Sequence, residues 1–223
     1  QIMYGLRGDT DLAEETLDHL EGYRKSAPVR IGHAAYKQKQ LDVYGGILNT
    51  VWQSHLKGSH ITDNGFWNEL RLIVDYVGKA WRDPDEGIWE VRGGAAHFVH
   101  SKVMCWVALD RAIKLASVHG LNGEVDVWKK EKDAVYNMIM EKGWSEEKQS
   151  FVQSFGSTDV DASSLLMPVL GFIDGKHPRM IATIARIEKE LSVEEGLLMR
   201  YKTEDGLPGH EGAFLLTSFW LVD

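Results

Sequence analysis

Apolar residues return at every third or fourth position over much of this 223-residue chain, the spacing of a helix face rather than of a strand. Phe66, Leu70, Ile73 and Val77 fall on one stripe, and Thr62 and Asp63 just before them are capping residues, which predicts a helix starting there. Met180, Ile181, Ile184, Ile187 and Leu191 behind Pro178 predict a second amphipathic helix, and Val127, Trp128, Val135, Met138 and Ile139 a third. Residues 102–116 are different: Val103, Met104, Trp106, Val107, Ala108, Leu109, Ala112, Ile113 and Ala116 leave little of the circumference polar. The same holds for 162–172 and 212–222, so all three are expected to be buried on nearly all sides. Residues 41–51 read as one more helix. Amphipathic helices alternating with mostly apolar ones predict an all-α array of two layers, a toroid or solenoid in which inner helices line a centre. Segments 83–99, 143–157 and 200–211 are rich in glycine and polar residues and read as loops or short hairpins, gathered at one mouth of the array. Without a linker, a low-complexity tract or a defensible repeat, residues 1–223 are read as belonging to one domain.

Composition narrows the partners. With 43% hydrophobic and 26% charged residues the chain can bury a sizeable core. Its formal net charge is −8 and its Lys and Arg are scattered, which argues against nucleic acid. No apolar run reaches the roughly 18 to 20 residues needed to cross a bilayer. The opening Gln1-Ile2-Met3-Tyr4 lacks a secretory pattern, and a cytoplasmic location is the expectation. The single cysteine, Cys105, lies between Met104 and Trp106 and reads as packing; it permits neither a disulfide framework nor a cysteine zinc site. The chain starts without an initiator methionine and closes on the apolar run 214–223, so part of a larger domain is expected.

Two loops carry candidate chemistry. In Asp83-Pro84-Asp85-Glu86-Gly87-Ile88-Trp89-Glu90-Val91-Arg92-Gly93-Gly94, glycines let the backbone turn tightly around an aromatic next to a carboxyl. Trp89 offers an apolar face to a pyranose and can desolvate Glu90 into a general acid, while Arg92 suits a sugar hydroxyl or a second carboxylate. The plainer alternative is a solvated acidic turn with its tryptophan anchored in the core. The stretch 201–214 presents Glu204 and Glu211 just ahead of an apolar helix, whose N-terminus favours an ionised carboxylate and hence a general base. Alternatively Glu211 only caps that helix. Together the loops suggest the two carboxyls of a glycosidase, about 6.5–9.5 Å apart if the enzyme inverts and about 5–5.5 Å if it retains.

These residues resemble a known family. Gly87-Ile88-Trp89-Glu90-Val91-Arg92-Gly93, followed by His97-Phe98-Val99-His100-Ser101-Lys102-Val103-Met104, looks like the stretch of family 15 glycoside hydrolases, the glucoamylase and trehalase-like group, that holds the general acid. Leu207-Pro208-Gly209-His210-Glu211-Gly212-Ala213-Phe214-Leu215 resembles the later stretch read as holding the base. Pro28-Val29-Arg30-Ile31-Gly32 leading to Gln40-Leu41-Asp42-Val43-Tyr44-Gly45, and Gln153-Ser154-Phe155-Gly156 leading to Asp161-Ala162-Ser163, agree in the same order. The resemblance implies an (α/α)6 toroid, incomplete here. It also implies an inverting exo-acting α-glucosidase that needs no cofactor or metal, with an α-glucan, an oligosaccharide or trehalose as substrate. Glu90 would be the acid, Glu211 the base and Glu204 its reserve. Trp89, Arg92, Arg30, Asp42 and Tyr44 would line the sugar subsites, Asp42 and Tyr44 alternatively standing behind them; His97 and His100 would serve as structural hydrogen-bonding groups. His33 stands where the family more usually has Asn. The toroid has twelve helices against about seven candidates here, and the resemblance puts the early helices, with an Arg-Asp pair of the first subsite, outside this sequence.

Glucoamylase-like hydrolysis leads and α,α-trehalase is its nearest rival. From other classes, a helical module that binds carbohydrate or protein without catalysis, or a purely structural solenoid, would use the eight tryptophans as contacts or core.

Overall fold

The computed structural model describes residues 2–59, 63–91, 93–194, 196–202 and 212–222. Thr62, Arg92, Glu204 and Glu211 therefore lie outside the described residues. The chain divides into two compact units, residues 1–40 and 41–223.

In the first unit Glu15–Thr16 (β1) and Arg30–Ile31 (β2) pair antiparallel, Glu15 opposite Ile31 and Thr16 opposite Arg30. At Gly32, φ is +70° and an added Cβ would meet the Ala13 carbonyl oxygen at 2.1 Å, so the chain turns back on itself only with glycine. A 3-10 turn, Ala34–Lys37, follows, and His33 Nδ1 accepts the Ala35 N–H at 3.1 Å. The imidazole performs the capping for which a short polar side chain is the common choice.

The second unit is mostly helical. Its long helices are α1 (Asp42–Leu56), α2 (Asn64–Ala80), α3 (Val99–His119) and α4 (Val125–Lys142). The short α5 (Leu166–Val169), α6 (Pro178–Leu191) and α7 (Leu215–Val222) follow. The central helix is α3, buried along nearly its whole length and packed on α1, α2 and α4. It approaches α1 so closely that a Cβ on Gly45 would stand 2.3 Å from the Met104 carbonyl oxygen. The amphipathic α2 and α4 are tied by tryptophans whose rings are buried and whose N–H groups are satisfied: Trp67 donates to the Asn122 carbonyl at 2.8 Å, Trp81 to Glu131 at 2.9 Å, and Trp128 to Asp75 at 2.8 Å. A second, smaller core gathers Val160, Ala162, Leu165, Ile187, Leu191 and Leu198.

Several expectations are corrected. The inward stripe of α2 is Trp67, Leu70, Val74 and Val77, with Phe66 exposed. Two adjacent apolar residues stand about 100° apart on a helix, and the indole bond to Asn122 selects Trp67. For a similar reason Ile181 and Val127 face outward while Met180 and Trp128 are buried. Residues 162–172 are not one helix but a 3-10 turn, Ala162–Leu165, followed by α5. Pro168 lacks an N–H, and Gly171 ends the segment at φ +74°. The segment 212–222 is helical only from Leu215, and it is not buried all round: Leu215, Leu216, Phe219 and Val222 are exposed while Thr217 and Ser218 face inward. Their hydroxyls explain the orientation, since Thr217 Oγ1 donates to the Leu198 carbonyl at 3.1 Å and Ser218 Oγ accepts the Leu198 N–H at 3.0 Å. The segment 143–157 is a hairpin as expected, Trp144–Ser145 (β3) pairing with Ser150–Phe151 (β4).

Candidate active site

Loops that are distant in sequence meet ahead of α3. The loop joining α2 to α3 is closed at its neck by a pair of backbone hydrogen bonds between Asp85 and Ala96, 3.0 and 2.8 Å long. It then pairs with the loop after β4: Phe98 bridges to Ser154, the Val99 N–H donates to the Gln153 carbonyl at 2.9 Å, and the Phe155 N–H to the His97 carbonyl at 3.0 Å. A third segment joins where the Ala162 N–H donates to the Arg200 carbonyl at 2.9 Å. The expected gathering of loops is present among the described residues.

Glu90 occupies the tip of the first loop, half-buried, at φ +55°. An L side chain rarely adopts that conformation, so the surroundings must impose it. Trp89 beside it does not stand free. Its Nε1 donates to both oxygens of Asp161, at 3.0 and 2.9 Å, and its ring meets those of Tyr201, Phe214 and Trp220 at about 6 Å, with the Arg200 guanidinium 5.3 Å from its centroid. Asp161 is buried and caps the 3-10 turn by accepting the Ser163 N–H at 2.8 Å, and Gln153 Nε2 donates to it at 3.2 Å. Burial raises the Asp161 carboxyl above its ordinary range, while the donors Ser163, Gln153 and Trp89 oppose that rise. Gln153 and Asp161, recognisable in the sequence only as members of a motif, thus hold the tryptophan that precedes the candidate acid.

Asp42 lies in the first turn of α1. Burial, and next to it the charges of Asp85 and Glu90, push its carboxyl up to about 6, which brings three carboxyls of two elements into one electrostatic neighbourhood. Asp42 Oδ1 is shielded from solvent and accepts no hydrogen bond from any described residue. Tyr44, two residues on and so on another side of α1, packs edge-on against Tyr76 of α2 at 5.3 Å and borders a shallow depression with Glu69, Leu72 and Ile73. Arg30, in the first unit, pairs with Glu14, Nε to Oε1 3.4 Å. His100 is buried in the first turn of α3 and burial pushes it down to about 4, leaving it neutral at ordinary pH. His97 stacks on Phe155 and is lowered by burial and by Lys102. His100 is thus packed in the core, whereas His97 is partly buried and borders an open pocket with Trp81, Arg82, Met138 and Phe155. No cluster of three or more metal-ligating side chains occurs among the described residues.

Sequence reasoning gave no role to Asp85, Asp161 or Arg200. The Asp161-Ala162-Ser163 pattern is a capping signature, and that signal was readable. Nothing local announces Arg200, whose neighbours Trp89 and Phe214 come from elsewhere in the chain.

Comparison with known proteins gives the arrangement a family. The chain is 42% identical over 225 residues to a trehalase of Mycolicibacterium smegmatis and 43% identical to one of Mycobacterium tuberculosis, in each case over its whole length and 33% of the relative's. It is 39% identical to a trehalase of Thermoplasma volcanium, of which it covers 36%. The chain therefore spans about a third of the length of the curated relatives it matches. Among solved structures, a glycosidase variant in complex with glucose superposes with a TM-score of 0.72 at 20% identity, over 88% of this chain and 53% of that one. The wild-type glycosidase gives 0.70 over the same shares. The model of the glycosyl hydrolases family 15 matches residues 1–223, and the chain belongs to that family.

Proposed function

We propose that the protein carrying this segment is an inverting α,α-trehalase, with Glu90 as general acid. The observation that carries the reading is the placement of Glu90: a carboxyl at a constrained loop tip, beside an anchored tryptophan, in the neighbourhood of two further carboxyls. Glu90 protonates the glycosidic oxygen as the bond to C1 breaks, while a carboxylate base takes a proton from the water that attacks C1 from the opposite face. Glu211 is the base this chain offers and Glu204 its reserve. The inner and outer helices are read as part of an (α/α)6 toroid, supported by the likeness to the solved glycosidases. The relatives named trehalase, at 36–43% identity, favour trehalose over the α-glucan that the sequence put first.

The test is glucose release by the full-length protein from trehalose, maltose, maltotriose and soluble starch, with Glu90→Gln, Glu211→Gln and Glu204→Gln beside it. Trehalose is expected to be the preferred sugar, and Glu90→Gln to lower kcat at least about a thousandfold. Preference for maltose or starch would return the glucoamylase reading. Full activity of both Glu211→Gln and Glu204→Gln would exclude these two residues as the base.

A further inference from the structure

We propose that Asp85 is the positioning residue of the general acid: its buried carboxylate fixes the loop that presents Glu90 to the start of α1 and to α3. The proposal rests on the reading of Glu90 as the acid.

Asp85 is fully buried, and three donors from three places converge on its Oδ2. The Leu41 N–H, at the head of α1, lies 3.0 Å away; Ser101 Oγ, in the first turn of α3, 2.7 Å; and the Gly87 N–H, within the loop, 3.3 Å. The main chain of the same residue closes the loop's neck against Ala96. From there the path to the acid is short, because the Gly87 carbonyl accepts the Glu90 N–H at 3.4 Å. One residue therefore fixes the neck of the loop through its backbone and the approach to Glu90 through its side chain. Gly87 cannot take over by packing, since its φ is +71° and a Cβ would stand 2.9 Å from the Phe98 ring.

The other oxygen separates position from charge. Asp85 Oδ1 is shielded from solvent and accepts no hydrogen bond from any described residue. An asparagine with its carbonyl oxygen in place of Oδ2 keeps all three donors and puts its amide nitrogen where Oδ1 stood, whereas alanine releases all three. A buried carboxylate is an expensive way to join loops. Placing the reacting group offsets that cost, since displacement of about 1 Å can cost about a hundredfold in rate.

The experiment measures kcat and KM of the full-length enzyme on its preferred sugar for Asp85→Ala, Asp85→Asn, Ser101→Ala and Glu90→Gln, well below each variant's Tm. Asp85→Ala is expected to lower kcat about a hundredfold with KM nearly unchanged, and Asp85→Asn to recover at least about tenfold of that loss. Ser101→Ala, which removes one donor and leaves the rest, is expected to lower kcat a few-fold at constant KM; it carries the test if Asp85→Ala fails to fold. Wild-type kcat in Asp85→Ala, or in Ser101→Ala where the former does not fold, would overturn the proposal. So would an Asp85→Asn no more active than Asp85→Ala. An active Glu90→Gln would instead sink the reading of the acid, and an inactive Glu90→Gln beside a fully active Asp85→Ala would sink this inference alone.

Discussion

Asp42 keeps a carboxyl that folding pushes from an ordinary 3.8 to about 6, chiefly by burial. The raised value fixes the sign of its effect on stability. The folded state holds the proton more tightly than the unfolded one, so the stability tied to that proton is complete below about pH 3.8 and is lost as pH rises through about 6. Asp42→Asn is therefore expected to gain about 1–3 kcal/mol over the wild type on going from pH 4 to pH 7.5, read by urea denaturation at both. An equal effect at the two values would contradict the burial of the ionised group. Gly87→Ala tests the loop itself: positive φ and the Phe98 ring together are expected to cost about 1–3 kcal/mol and to lower kcat at an unchanged substrate preference. At this scale the turn that presents Trp89 and Glu90 is legible, because a tight glycine-flanked turn with an aromatic and a carboxyl is a local pattern. Asp85 is not legible, and of Asp161 only the cap is, since their other hydrogen bonds come in part from segments far away in sequence.

The helices follow from periodicity, and their faces less so. In α2, Leu70 and Val77 face the core as expected, but Trp67 and Val74 take the places assigned to Phe66 and Ile73; Phe66 and Trp67 are equally apolar and only the partner of the indole N–H separates them. In α7 the hydrophobic residues misled, because two hydroxyls that satisfy the Leu198 backbone turn the polar face inward. The close crossing of α1 on α3 gives a sharp prediction. Gly45→Ala drives a methyl into the Met104 carbonyl and is expected to cost about 1–3 kcal/mol, seen as a lower denaturation midpoint at constant slope. Thr183 joins α6 to β4 by accepting the Phe151 N–H at 3.0 Å and donating to the Arg179 carbonyl at 2.8 Å. Thr183→Val leaves that buried N–H without its acceptor and is expected to cost about 1–3 kcal/mol.

For the molecule as a whole, the chain is a family 15 segment in which stretches distant in sequence join around the loop that carries Trp89 and Glu90. The convergence was anticipated from the order of apolar and glycine-rich segments; the cross-loop pairing that produces it, Phe98 with Ser154 and Ala162 with Arg200, had no signature in the sequence. The central claim is that this loop serves an inverting trehalase. Its most direct measurement is a proton NMR time course of trehalose hydrolysis by the full-length enzyme, started fast enough to outrun mutarotation. Inversion at the attacked carbon predicts equal initial amounts of β-glucose and α-glucose, one from each half of the sugar, and no such release from Glu90→Gln. Only α-glucose in the first turnovers, or equal cleavage by Glu90→Gln, would contradict the account.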